Sequence, residues 1–320
     1  MRTALITGSQ GQDGKLLFEL LKSKGYGVLG LDLNKTEAHG VQIPLPASTD
    51  LTISKEVIAL VAQFQPDEIY HLAAVHHSSE ENSSENASAF RRAYEVNFFA
   101  LINLLEGVRL HSPQTHVFYA ASSHIFGHSE ADIQDESTPL NPDSPYAFSK
   151  VDGLQASRLY RSKYGIHASV GILYNHESEY RASKFLSKKI TSAVVRINNG
   201  SNEKLTLGDL SAVIDWGYAR DYVEAMHRIN TLTESPESDD FIVASGTRHT
   251  VEDFVQTAFR HAGLDWRSHV VENPSLLGRR NPLRIGNPVK LMKRTGWTPS
   301  VSFEQMIKLL LISEGLPIDK

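Results

Sequence analysis

Tyr146 and Lys150 lie four residues apart in the run Ser144-Pro-Tyr-Ala-Phe-Ser-Lys150. On a helix that spacing projects both side chains from one face. A free phenol ionises near pH ~10, too high for a base at neutrality. A cation fixed beside it favours the phenolate and makes the tyrosine a usable proton acceptor. Upstream, Ser122 and Ser123 stand in Phe118-Tyr-Ala-Ala-Ser-Ser-His-Ile-Phe-Gly127. A serine hydroxyl at the end of a neighbouring strand can hold the substrate oxygen that loses or gains the proton. These groups together suit alcohol–ketone interconversion beside a nicotinamide. Tyr-x-x-x-Lys by itself occurs by chance in many helices, so this reading requires a dinucleotide site in the same chain.

Such a site opens the chain. Thr3-Ala-Leu-Ile-Thr7 reads as a short buried strand, followed by Gly8-Ser-Gln-Gly11-Gln-Asp-Gly14 and the amphipathic run Lys15 to Lys22. Strand, glycine turn and helix in that order are the context of a dinucleotide fingerprint. Gly8 allows the tight turn, Gly11 the approach of backbone to pyrophosphate, and Gly14 close packing of helix on strand. Gln10, Gln12 and Asp13 complete the loop. The helix start offers N–H groups and a partial positive charge to phosphates. The next strand, Gly27-Val-Leu-Gly-Leu-Asp32, ends in an acid. A carboxylate there attracts a ribose 2′-OH and repels a 2′-phosphate, which argues for NAD over NADP. Lys35, nearby in sequence, works against that argument. Asp50 and Leu51 are candidate contacts for the adenine edge, with a helix N-cap the alternative for Asp50.

Strand-like and helix-like segments alternate as far as Tyr174. Ser54 to Phe64 reads as a helix, Glu68 to Ala73 as the fourth strand, and Ala87 to Leu110 as one long helix. Thr115 to Tyr119 reads as the fifth strand, Ser144 to Tyr164 as the helix bearing Tyr146 and Lys150, and His167 to Tyr174 as the sixth strand. Alternation of this kind implies an α/β, Rossmann-type doubly wound parallel sheet with ligands beyond the carboxyl ends of its strands. After Tyr174 the pattern becomes mixed: a helix over Arg181 to Asn198, strands over Glu203 to Leu207 and Phe241 to Ala244, and helices over Thr250 to Ala262 and Phe303 to Ser313. The expected division is a dinucleotide-binding domain over 1–174, with about 209–244 returning to it, and a smaller mixed substrate domain over 175–320.

The 320 residues carry a net charge of −5, no footprint for nucleic acid. The absence of cysteine excludes disulfides and thiolate catalysis. No apolar run approaches the ~20 residues of a membrane span, and no signal peptide is visible, so a cytoplasmic enzyme is expected. The 14 histidines are scattered, with only His76 and His77 adjacent, which argues against a metal centre.

With these residues in place, the chain resembles the extended short-chain dehydrogenase/reductase superfamily and, within it, the GDP-mannose 4,6-dehydratase family. Thr7-Gly-Ser-Gln-Gly-Gln-Asp-Gly14 is similar to that family's opening loop. His71-Leu-Ala-Ala74 resembles the strand beside the cofactor, which implies contacts from Leu72, Ala73 and Ala74. Asn97, in Val96-Asn-Phe-Phe-Ala100, matches the superfamily's helix asparagine. Tyr174-Asn-His-Glu-Ser178, Asp215-Trp-Gly-Tyr-Ala-Arg-Asp-Tyr-Val-Glu-Ala225 and the tail Gly286 to Pro299 extend the similarity over nearly the whole chain. The resemblance implies oxidation at C4 of a nucleotide-linked hexose, loss of water across C5–C6, and return of hydride to C6. Ser122 would hold the sugar O4, Tyr146 would be the C4 base, and Lys150 would bind the ribose and tune Tyr146. Ser123 is a candidate substrate contact. Asn175 and Lys189 resemble positions that contact the nucleotide diphosphate. Arg220 and Arg279 or Arg280 are further candidates for phosphate or base, since an Arg fork grips oxygens bidentately. A solvated loop is the alternative for Arg279-Arg280.

The chain also departs from that family. Two residues after the active serine or threonine, the dehydratases carry a Glu for the proton chemistry of water loss; here His124 stands there. An imidazole with pKa near ~6.5 can accept and donate a proton at neutrality. His124 could serve dehydration, or contact substrate in an enzyme using only the C4 redox step, a 4-epimerase or a 4-keto reductase. A non-catalytic nucleotide-binding sensor is a third, remoter reading. The run Leu31-Asp-Leu-Asn-Lys35 lacks the family's Arg pair, which again implies NAD and puts the family's tetramer in doubt; a homodimer is expected. His76, in the loop after the fourth strand, is a candidate sugar contact.

Overall fold

The computed structural model describes residues 1–33, 35–41, 49–75, 87–233, 238–276 and 283–317. Seven strands form the central sheet: β1 (Thr3–Thr7), β2 (Gly27–Asp32), β3 (Lys35–His39), β4 (Glu68–His71), β5 (His116–Ser122), β6 (Ala168–Leu173) and β7 (Asp240–Val243). Their order is β7-β6-β5-β4-β1-β2-β3. All pairings are parallel except β2 with β3. The doubly wound sheet is therefore present with an antiparallel edge. The order reverses between β1 and β4, and ligands of such sheets sit outside the carboxyl ends at that switch point.

Alternation along each strand sends side chains to two cores. Leu5, Ile69, Val117 and Tyr119 face one side, beneath α2 (Ser54–Phe64), α4 (Ala100–His111) and α5 (Pro145–Tyr164). Ala4, Ile6, Tyr70 and Phe118 face the other, beneath α1 (Gln12–Ser23) and α7 (Ala219–Asn230). A third cluster joins α6 (Leu186–Asn198), α8 (Val251–His261) and α10 (Phe303–Ser313) around Trp216. Residues 205–218 contribute to this third cluster, and the chain rejoins the sheet from Ala219 onward. No helix among the described residues is long and apolar enough to cross a membrane.

Two segments differ from the sequence expectation, both near the cleft. The long helix begins as Ala87–Ala93, passes through a π-helical turn at Tyr94–Phe99, and continues as α4. The wider turn lies at Asn97, whose amide bonds Val75 N, Val75 O and Ser149 Oγ at 2.8, 3.3 and 3.0 Å. The helix expected from Arg181 starts only at Leu186. Turns at Ser178–Arg181 and Ala182–Phe185 hold the intervening residues, and the Arg181 guanidinium lies 3.7 Å over the Phe185 ring. Arg181 is thereby kept in a loop facing the cleft.

The glycine loop explains its own composition. Gly8 has φ +73°, which favours glycine. A Cβ on Gly14 would lie 2.1 Å from Gly8 O, so α1 could not sit against the turn. Gly14→Ala is expected to cost roughly 1–3 kcal/mol from overpacking and to weaken dinucleotide binding at least tenfold. Thermal melts and cofactor-quench titrations check this.

Candidate active site

α5 begins cleanly because Ser144 caps it, accepting from Ala147 N at 3.3 Å, and Pro145 occupies its first turn. This fixes the phase of the helix and turns Tyr146 and Lys150 toward the end of β5. Lys150 is only 1% exposed. Its Nζ donates to Ala120 O at 2.7 Å and lies over the Tyr119 and Tyr146 rings at 5.0 and 5.7 Å. Burial pulls the Lys150 pKa down to about 7. Burial also pushes Tyr146 up to about 12, opposed chiefly by a hydrogen bond with Ser122. Desolvation, not the acidification expected from Lys150, therefore dominates at Tyr146, and the groups that lower it are Ser122 and Arg181.

Ser122 ends β5 and caps the short 3₁₀ turn Ser123–Phe126, accepting from His124 N at 3.3 Å. That turn brings the His124 ring edge-on to Tyr146, with ring centres 5.7 Å apart at 86°. Ser122, Ser123, His124, Tyr146 and Lys150 all line one cleft of about 330 Å³. Asp13, Leu72 and Ala74 line it too, as does Asn175.

The dinucleotide residues stand at the neighbouring strand ends. A Cβ on Gly8 would lie 2.7 Å from Ala73 N, so the turn after β1 abuts the loop after β4. No side chain caps α1 at Gly11. A glycine cradle at an uncapped helix start fits a pyrophosphate. Asp32 accepts from Gln10 N at 3.0 Å and from Leu33 N at 2.8 Å. The Gln10 side chain donates to Glu37 at 2.9 Å, and Lys35 pairs with Glu37 at 3.2 Å. Asp50 closes a turn onto Thr52 (2.9 Å) ahead of α2, whose cap position is Ile53. Leu51 O accepts from Asn103 at 2.9 Å.

Among the described residues, Arg220 and Lys189 are not in the cleft lining. Arg220 is a surface residue, bound to Glu19 at 3.2 Å and Glu179 at 2.6 Å. Lys189 is on α6, and residues 184–187 line the cleft ahead of it. His76, Arg279 and Arg280 fall outside the described residues.

The cleft lining also includes His176, Arg181 and Arg284, which were not among the sequence candidates. His176 Nδ1 donates to Tyr174 O at 2.6 Å, and Nε2 faces both Asp13 oxygens at 3.0 Å. Neither partner can donate while Asp13 is ionised, so both ring nitrogens carry protons. Burial opposes the charge on His176, but Asp13's charge and hydrogen bond raise its pKa above the ordinary value. Burial likewise acts upward on Asp13, and His176 outweighs it to lower the carboxyl. Gln12 adds bonds to His176 O and Ser178 Oγ, both 3.0 Å. The glycine loop and the segment after β6 are thus stitched together. The only sequence signal for this joint was the adjacency of Gln12-Asp13 in one motif and His176 in another.

A family profile described as GDP-mannose 4,6 dehydratase matches residues 5–310. The chain is 36% identical to "GDP-mannose 4,6 dehydratase 2" of Arabidopsis thaliana, over 100% of this chain and 88% of that protein. It is 31% identical to a GDP-mannose 4,6-dehydratase of Yersinia enterocolitica, over 96% and 92%. The chain belongs to the GDP-mannose 4,6-dehydratase family. Among solved structures, RMD from Pseudomonas aeruginosa with NADPH matches at TM-score 0.81 and 20% identity, covering 98% of this chain and 99% of that one. A dTDP-glucose 4,6-dehydratase from Bacillus anthracis with NAD matches at TM-score 0.79 and 19% identity, covering 98% and 96%. These structures share the fold.

The charged pair has a defined pH signature. A raised His176 pKa contributes stability that is fully present below its unfolded value and is lost as pH rises through the folded value. A lowered Asp13 pKa contributes stability present above its unfolded value and lost as pH falls through the folded one. The melting-temperature gap between the native protein and His176→Gln is therefore expected to be widest between about pH 4 and 6.5 and to close on the alkaline side. Melts across that range check it.

Proposed function

We propose that the protein is a GDP-hexose 4,6-dehydratase that uses a bound nicotinamide cofactor. The observation that carries this is the joining of Ser122, Tyr146, Lys150 and His124 in one cleft, in a chain of the GDP-mannose 4,6-dehydratase family. The glycine loop after β1 would hold the nicotinamide cofactor, which would supply the hydride acceptor for C4 and the hydride donor for C6. Ser122 Oγ holds the C4 oxygen, and Tyr146 takes the hydroxyl proton. Lys150 binds the ribose and offsets charge on Tyr146. The resulting 4-ketone acidifies the C5 proton, which His124 removes as base. His124 then protonates the departing C6 hydroxyl, which leaves as water. The proton held by Tyr146 balances the one added at C5 as hydride reaches C6.

Two finer assignments belong to the same proposal. NAD is the preferred cofactor: Asp32 ends β2, Gln10 bonds Asp32 through its N–H and Glu37 through its side chain, and Lys35 is paired with that second carboxylate. The unit formed by 1–174, with a returning segment, holds the cofactor; residues from 175 onward supply the substrate side. Exposed Phe90, Phe99, Phe148 and Leu159, each 40–51% accessible on α5 and the helical segments before α4, support a homodimer through that face.

Mass spectrometry of the product from GDP-mannose is expected to show loss of one water with no net consumption of NADH, and kcat/KM should be higher with NAD than with NADP. Tyr146→Phe should lower the rate by about 10²–10⁴-fold. His124→Ala should abolish exchange of the C5 proton with solvent while sparing reduction of bound NAD. Unchanged C5 exchange in that variant would remove His124 from the dehydration step. Consumption of NADH with a 4-keto sugar and no water loss would instead mark a reductase, the reading favoured by the missing Glu.

A further inference from the structure

Lys150 must keep its proton to offset charge on Tyr146, yet its surroundings press that proton off. The side chain is 1% exposed, and burial brings its pKa down to about 7 while Tyr146 is pushed up to about 12. An ammonium lost near neutrality cannot steady a phenolate, so the groups that favour the cation decide how well the pair works. Ala120 O is one, at 2.7 Å, and it meets one of the three N–H donors an ammonium carries. The ring of Tyr119 is a second, with Nζ 5.0 Å from its centre.

Three elements fix that ring. Tyr119 stands on β5 and is 0% exposed. Its hydroxyl donates to Asn97 O at 3.1 Å, in the π-helical turn. The ring stacks on His71 at the end of β4, with centres 5.9 Å apart at 18°. On α5, Gly153 leaves the room it needs: a Cβ there would lie 2.3 Å from Tyr119 Oη and 2.4 Å from Cζ. Gly153 comes three residues after Lys150, so the face of α5 that carries the ammonium also admits the ring beside it. His71 is anchored in turn, its Nδ1 lying 2.8 Å from Thr7 Oγ1. Burial, and after it the charge of Lys150, pulls the imidazole pKa down to about 3, so His71 backs the ring as a neutral group and adds no competing cation.

We infer that Tyr119 is a positioning residue for proton transfer: the face of its ring holds the buried Lys150 ammonium beside Tyr146, with His71 and Asn97 fixing the ring. The inference rests on the reading of Tyr146 and Lys150 as the proton-transfer pair. An aromatic face attracts a cation through its quadrupole, most strongly where water is excluded, and has no such hold on a neutral amine. The contact therefore favours the protonated lysine against the desolvation that opposes it.

Ring fluorination tests this with little change of shape, because each fluorine drains the negative face. Tyr119→Phe is compared with the same site carrying phenylalanine with one, two or three ring fluorines. Lys150 is titrated by carbon-13 NMR of lysine Cε, its signal assigned by its loss in Lys150→Met. The other ionisable groups around the pair are Tyr146 and Asp152 on α5, His71 on β4, and Asp13 and Arg181 in the cleft lining, and they stay the same throughout the series. Melting temperature and NAD affinity check the fold. From phenylalanine to its trifluoro form the Lys150 pKa is expected to fall by about 0.5–1.5 units. Single-turnover reduction of bound NAD by GDP-mannose near neutrality should slow by about 3–10-fold, with substrate affinity within twofold. A Lys150 pKa that stays level across the series would overturn the inference, as would a falling pKa with an unchanged rate. A native protein in which no nucleotide sugar reduces bound NAD would overturn the reaction reading instead, and the Lys150 titration still decides whether the ring holds the ammonium.

Discussion

The burial of Lys150 is the constraint on which the site depends. An ammonium kept 1% exposed must be compensated locally, and Ala120 O does so at 2.7 Å. That bond ties α5 to the carboxyl end of β5, two residues before Ser122. One contact therefore sets the separation between the helix that carries the base and the strand end that carries the serine. The π-helical turn serves the same assembly from the other side. Asn97 meets Ser149, beside Lys150, and Val75, after β4, so its amide joins the helical turn before α4 to α5 and to the loop after β4. The cost is visible in the titrating groups. Burial moves Tyr146 up to about 12 and Lys150 down to about 7, each away from its charged form.

The two sides of the cleft are joined by polar contacts rather than by a shared apolar core. Asp13 and His176 form a buried charged pair between the dinucleotide loop and the segment after β6, and His176 stacks on Tyr222 at 4.5 Å. Asp215 accepts from Ser245, Gly246 and Gly286 and so gathers two chain segments onto one carboxylate. Breaking one partner of such an arrangement leaves an uncompensated buried charge, which is far costlier than the pair is stabilising. These junctions hold the halves in a defined relation while leaving the space between them for ligand.

Much of this was legible in the sequence, residue by residue. The glycine spacing of the opening loop anticipated the turn after β1, and the clashes that a Cβ at Gly8 or Gly14 would meet give its physical reason. The strand and helix alternation anticipated the sheet, because burial on both faces writes continuous apolar runs. What failed to show was irregular backbone. The apolar and basic run from Arg181 reads as helical, yet Arg181 packs on Phe185 and forms an ion pair with Glu177, and the helix starts only at Leu186. Arg220, a candidate for phosphate or base, pairs with Glu19 and Glu179, and neither partner is near it in sequence.

By itself the sequence determined what local geometry determines: a glycine turn between strand and helix, and a tyrosine and lysine on one helix face, since i and i+4 coincide on any α-helix. Only the tertiary structure decided which charges share the cleft. His176 meets Asp13 across 163 positions, and Ile285, beside Arg284, meets Gln134 across 151. Such meetings depend on how separate elements pack, and no periodicity within either segment encodes them.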